Sequence, residues 1–266
     1  MTYLLYGIVK ESAAIVNSGD MTGINAVPEA IKKLTGVKGK PVTFVAGHGL
    51  RAAVSEMDIE EETPPVAELL AYIHVVEALH HHQAIVPMRY GCFLNGTTEI
   101  GKVLKERQRQ YHTLLDELEG HVEMGIRIIL PENAGRDIPR DPLNNRPFID
   151  GLAAQPKNEQ VDGRDYLALR KVYYKIQEEI SHDRQALIDR YIQAFSGLYA
   201  RHRIETDTKN DTVILSLYFL TPESAVNSFR ETFGEMLEKK NDEATLSGPW
   251  PPYNFVTTDL APADDP

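Results

Sequence analysis

The sequence is poor in the residues that define several familiar protein classes. One cysteine, Cys92, in 266 residues excludes an internal disulfide framework and any zinc or iron–sulfur site built from several thiolates. No apolar run approaches the ~18 residues of a membrane-spanning helix. The longest candidates, Pro41–Leu50 and Thr212–Pro222, are strand-like. The apolar opening Met1–Val9 lacks a basic flank and a small-residue cleavage pattern, so it does not read as a signal peptide. Basic residues are outnumbered, 28 against 39 acidic ones, and the net charge of −11 excludes the basic footprint of a general nucleic-acid binder. No repeat of fixed period, phosphate-binding loop, dinucleotide glycine pattern, Gly-x-Ser-x-Gly elbow or zinc spacing occurs. A reducing, cytosolic setting is the expectation.

What remains is an ordinary globular composition, 42% hydrophobic and 25% charged, long enough for one or two domains. The first half reads as α+β. Tyr3–Val9 is a strand buried on both faces. A glycine- and asparagine-containing stretch precedes a short helix over Val27–Leu34. Val42–Ala46 and Leu50–Met57 flank Gly47-His48-Gly49 as a hairpin. The acidic residues of Asp58–Glu62 lack calcium-loop spacing and read as a solvated lead-in to a helix capped by Thr63. That helix runs to about His82, with Val66, Leu69, Leu70, Ile73, Val76 and Leu79 as its buried stripe. Ala84–Leu94 is a bent or edge strand, since Pro87 cannot donate to a ladder and Gly91 permits a bulge. Arg89, among apolar neighbours, calls for a carboxylate partner. Asn95–Thr98 opens a second long helix that ends at Gly120.

The second half carries the order β-α-β-β-α-β, the ferredoxin-like split motif. Its first strand, His121–Leu130, alternates cleanly and places Val122, Met124, Ile126, Ile128 and Leu130 on one face. Pro131–Asp162, rich in proline and charge, reads as a mobile surface loop. A long helix follows from Gly163, with an apolar stripe that includes Tyr166, Val172, Ile180, Tyr191 and Phe195. A hairpin around Thr208-Lys209-Asn210, a helix on Val226, Phe229, Phe233 and Leu237, and a closing strand at Ala244–Leu246 complete the motif. The expected organisation is therefore an α+β domain over 1–119, a ferredoxin-like domain over 120–248 and an extended tail over 249–266.

Candidate chemistry is sparse. His74, Glu77 and His81 share one helical face at i, i+3 and i+7, which makes a metal or small-ligand enzyme site the alternative reading. The spacing is not that of a metalloprotease helix, and His80-His81-His82 cannot share a face. Cys92, between Gly91 and Phe93, reads as a small buried hydrophobe. The most unusual segment is Ser247-Gly248-Pro249-Trp250-Pro251-Pro252-Tyr253-Asn254-Phe255, which holds the only tryptophan. Its prolines keep it extended and its rings suit a groove. It is either a strap on its own domain, which packing favours, or an exposed docking peptide.

This segment resembles the C-terminal signature of the gas vesicle protein L/F family, and further segments follow in order. Tyr3–Val9 is similar to the family's opening strand and Leu50–Ser55 to a hairpin strand. His74–Ala78, containing Glu77, resembles a first-helix pattern, and Val86-Pro87-Met88-Arg89-Tyr90-Gly91 resembles a Pro-Met-Arg-Phe-Gly element. Gly120–Glu123 and Gly163–Lys171, with Tyr166, fall where the family has its remaining motifs. The resemblance implies two α+β domains, the second ferredoxin-like. It implies a non-enzymatic accessory or minor structural role in gas vesicle assembly, in the cytoplasmic compartment. The implied partners are the hydrophobic shell protein and other gas vesicle proteins, with no metal, cofactor, nucleic acid or membrane. Pro87, Met88, Arg89, Tyr90, Gly91, Glu77 and Tyr166 are then structural motif residues. Pro249, Trp250, Pro251, Pro252, Tyr253 and Phe255, with the loop Pro131–Asp162, are the candidate partner contacts. The negative charge would keep a complex with hydrophobic subunits in solution.

Overall fold

Strand β1, Thr2–Lys10, sits inside the first sheet and is apolar on both sides. A computed structural model of the chain describes residues 1–11, 33–58, 64–131, 163–209, 212–239 and 243–256. The expected helix at Val27–Leu34 (apart from its last residues), most of the acidic stretch with the Thr63 cap, the proline-rich loop beyond Pro131 and the tail beyond Val256 lie outside these residues.

Leu5 and Ile8 of β1 face one core, and Leu4, Tyr6 and Val9 face another. The alternation shifts phase at a bulge between Leu5 and Gly7. β1 pairs antiparallel with β3, Leu50–Met57, which pairs with β2, Thr43–Gly47. The β2–β3 hairpin is as expected: His48 and Gly49 both take positive φ, the geometry of a tight two-residue turn. The bent strand of the sequence analysis resolves into two short edge strands, β4, Ile85–Pro87, and β5, Phe93–Asn95, both paired to β1.

Helix α1, Val66–His80, covers one face of this sheet. Its buried side chains are Tyr72, Val75, Val76 and Leu79, whereas Val66, Leu70 and Ile73 are exposed. The expected buried stripe is thus corrected. The helix is apolar around most of its circumference, so periodicity alone could not select the face that packs. On the other face the expected single helix is two, α2, Gly96–Glu106, and α3, Gln108–Leu118, broken at Arg107. α2 lies over β2, β3 and β5, and α3 over β1 and β4. The break turns the apolar stripe so that both halves follow one sheet.

The second sheet has the order β7-β8-β6-β9, all antiparallel. The chain runs from β6, His121–Pro131, through α4, Gly163–Ala194, to the hairpin β7, Arg201–Lys209, and β8, Thr212–Pro222. It continues through α5, Val226–Lys239, to β9, Ala244–Trp250. Met124, Ile126 and Ile128 of β6 pack with Leu215, Leu217 and Phe219 of β8 under the helices. Phe195 stacks on Phe229 at 4.1 Å between ring centroids. Among the described residues of α4, Ile188 and Tyr191 join this core and Ile180 is buried as expected, whereas Val172 is exposed, which shortens the stripe expected for this helix.

The two sheets share a core. Leu220 of β8 and Phe255 pack with Leu115 and Leu118 of α3. Arg201 of β7 pairs with Glu117 of α3 at 2.7 Å. The Glu223 amide donates to the Gly120 carbonyl at 3.0 Å. The fold is therefore a mixed α/β arrangement of two antiparallel sheets with helices, joined through side chains from both.

Candidate functional site

The segment after β9 returns to the junction of the two sheets. β9 runs to Trp250, so Pro249 and Trp250 belong to a strand, beyond the expected end of that strand at Leu246. Gly248 carries φ of +105°, and a Cβ there would stand 2.6 Å from the Glu123 carbonyl oxygen, so β9 approaches β6 closely at this point. The Gly248–Pro249 peptide is cis. Beyond it, Pro251, Pro252 and Phe255 are buried, and Phe255 enters the core shared by the sheets. Tyr253 packs against the α1 side of the first sheet. The tyrosine-to-phenylalanine stretch, Tyr253–Phe255, forms a short 3-10 turn.

Glu123 anchors this strap. Its carboxylate accepts the Asn254 backbone amide at 2.8 Å and the Asn254 side-chain amide at 2.7 Å. Glu123 lies on the polar face of β6, as alternation predicts, but the strap covers that face and leaves the residue 4% exposed. Burial pushes its carboxyl above the usual range, and the two Asn254 hydrogen bonds pull it back.

Of the strip's candidate partner contacts, Pro251, Pro252 and Phe255 are buried and Tyr253 is half-buried. Pro249 and Trp250 remain exposed, Trp250 by 43%. A cleft of about 470 Å³ opens beside them, between the end of α1, the start of α5 and the strap. Glu77, His80, Glu223, Asn227, Pro249 and Pro251 are among its walls. Both His80 ring nitrogens are buried without a hydrogen-bond partner. Burial lowers the His80 pKa, and the nearby Glu223 carboxylate opposes that shift in part. His80 is therefore a neutral imidazole with an unused lone pair and an unused N–H.

His74 and His81 are exposed on α1 and Glu77 is half-buried. Among the described residues, no three histidine, cysteine or acidic side chains are grouped as for a metal ion. The Pro87–Gly91 element does structural work at the sheet edge. Pro87 and Met88 are buried, and the Met88 amide donates to the Tyr6 carbonyl at 3.0 Å. The Tyr72 hydroxyl of α1 donates to the Met88 carbonyl at 2.8 Å, and its ring stacks on Tyr6 and meets Tyr90 edge-on. The Tyr90 hydroxyl donates to Glu68 at 3.1 Å. Arg89 is exposed rather than buried among apolar neighbours, so the need for a buried carboxylate falls away. Gly91 takes φ of +94° at the bend. Tyr166 lies in the first turn of α4. Cys92 is half-buried against the first core, and burial pushes its thiol up to about 11. Glu223 and Asn227 did not stand out in the sequence, and His80 did so only as part of the His80–His82 run; their cleft forms only when α1 and α5 meet.

The family model described as "Gas vesicle synthesis protein GvpL/GvpF" matches residues 2–257. The chain belongs to the GvpL/GvpF family. Gas vesicle protein F1 of Halobacterium salinarum is 24% identical over 228 residues, covering 83% of this chain and 84% of that protein. Gas vesicle protein F of a Streptomyces species is 25% identical over 262 residues, covering 96% of this chain and all of that one. The crystal structure of GvpF from Anabaena superposes with a TM-score of 0.70 at 16% identity, over 97% of this chain and 96% of that chain. GvpF from Microcystis aeruginosa gives 0.69 at 14% identity, over 97% and 99%. At such identity the likeness speaks for the GvpF fold, while the family match ties the chain to gas vesicle formation. Among the described residues, no helix is long and apolar enough to cross a membrane.

Proposed function

We propose that this GvpL/GvpF chain acts without catalysis in gas vesicle assembly, by binding the hydrophobic shell protein and other gas vesicle proteins at the vesicle, in the cytoplasmic compartment. The observation that carries this reading is the family match over residues 2–257, which takes in both sheets and the strap. The chain divides into an α+β domain over 1–119 and a ferredoxin-like domain over 120–248. Supporting the latter are the element order β6-α4-β7-β8-α5-β9 and the strand order β7-β8-β6-β9. The strap locks the two domains together, and Pro249 and Trp250 are the part of the C-terminal strip free to meet a partner. An excess of acidic residues keeps the loaded complex soluble.

Co-expression of the full chain with the shell protein tests this reading. The expected result is a soluble complex that co-purifies on size exclusion. Shell protein that sediments alone, with none retained on the tagged and folded chain, would overturn it.

A further inference from the structure

Among the described residues, one face of α1 has no partner. Val66, Leu70 and Ile73 are 71%, 60% and 38% exposed. At 100° per residue they lie within about 60° of one another, and Glu77 falls on the same line. The stripe runs about 16 Å along the helix, at about 1.5 Å per residue, and ends in the cleft that Glu77 helps to wall. An exposed apolar row on a helix marks an interaction surface when it is continuous and bordered by polar groups.

The cleft adds the chemistry. Its polar walls present the carboxylates of Glu77 and Glu223, the imidazoles of His80 and His81 and the Asn227 amide, and among the described residues no lysine or arginine lines it. Such a set is rich in acceptors, and its best complement is a group that only donates: a guanidinium or an ammonium. Val122, Val226, Pro249 and Pro251 supply apolar walls for the methylene stem of such a side chain. Trp250, between those two prolines, is exposed at the same end.

We propose that α1 and the cleft form one docking surface for an amphipathic helix of a partner protein, whose apolar face lies along Val66, Leu70 and Ile73 and whose terminal arginine or lysine enters the cleft between Glu77 and Glu223. The apolar row and the acceptor-lined cleft, continuous with each other, select this occupant. A helix-in-groove contact of this kind takes affinity from the apolar anchors and register from the charged one. The inference rests on the assembly reading and adds the surface and the chemistry of the segment recognised.

Three full-length variants in the co-expression assay test it: Leu70→Glu with Ile73→Glu, Glu77→Gln with Glu223→Gln, and, as a control, Val172→Glu on the exposed face of α4. The first pair should lower partner capture by at least about tenfold, since two apolar anchors are lost. The second should weaken capture severalfold and flatten its salt dependence. Val172→Glu should leave capture unchanged. Unaltered circular dichroism and thermal midpoint verify folding, as the substituted stripe residues are exposed. Capture by both α1 and cleft variants at the wild-type level overturns this inference and leaves the assembly reading intact. Failure of the wild-type chain to capture any gas vesicle protein overturns the assembly reading and this inference with it. A saturable thermal shift with free arginine or spermidine, unchanged in the Leu70→Glu, Ile73→Glu protein and lost in the carboxylate pair, alongside unchanged capture by that pair, would make the cleft a small-cation site and overturn the helical partner.

Discussion

At the scale of single residues, environment has muted the reactive side chains. Cys92 is desolvated and faces Glu99, so its thiol is held up to about 11. Alkylation by iodoacetamide at pH 8 should run on the order of a hundredfold slower than for a free thiol with a pKa near 8.5, as measured by intact mass against time. A rate like that of free cysteine would contradict the packing. His80 is the opposite case of a base kept neutral: burial lowers its pKa, Glu223 resists, and His81 adds to the lowering. Below its ordinary pKa of 6.5 the unfolded chain takes up a proton that folded His80 resists, so this residue contributes stability above 6.5 that is lost as pH falls toward its folded pKa. Glu123, with its pKa raised, acts in the other direction, stabilising more as pH falls toward its ordinary value. Urea unfolding at pH 7 and 5.5 should therefore show a smaller acid loss in His80→Gln than in the wild type, and an equal loss would refute the assignment.

At the scale of elements, each packed helix or strand depends on a few contacts that spacing could not reveal. α1 is held to the sheet by the Tyr72 hydroxyl, which donates to the Met88 carbonyl and sits within reach of the Leu5 and Tyr6 carbonyls. Tyr72→Phe keeps the ring stack and removes that bond. It should cost about 1–2 kcal/mol in chemical denaturation, with the fold retained. β9 depends on Gly248. Alanine there would have to hold a positive φ and place its Cβ 2.6 Å from a backbone oxygen of Glu123. Gly248→Ala should lose about 2 kcal/mol or more, by the same measurement. The hairpin β2–β3 and the alternation of β6 were legible because each has one residue pattern and one way to satisfy it. The face chosen by α1 and the break at Arg107 were not, because an all-round apolar helix and a long stripe fit more than one packing.

At the scale of the whole molecule, the C-terminal strap matters most. Phe255, 2% exposed, lies in a core to which both sheets contribute. Phe255→Ala should cost about 3–5 kcal/mol. It should also loosen the coupling of the two sheets, so that calorimetry shows a broadened or split transition at a lower temperature. A single transition at the wild-type midpoint would mean that the strap is dispensable. Four of the strip residues read from sequence as partner contacts, Pro251, Pro252, Tyr253 and Phe255, are thus placed largely inside the chain's own fold, and the residues beside them, Pro249 and Trp250, keep the exposure.

The sequence by itself determined most of the described elements and the family. Alternation, turn residues and ordered motifs are local patterns, and local backbone preference acts over a few residues. Tertiary structure alone decided which face of α1 is buried, that Glu123 serves as the anchor of the strap, and that His80, Glu77, Glu223 and Asn227 meet across a cleft. Those outcomes depend on side chains far apart in the chain competing for one limited interior. Burial of the better-fitting face wins there, and what it leaves outside becomes the surface available to a partner.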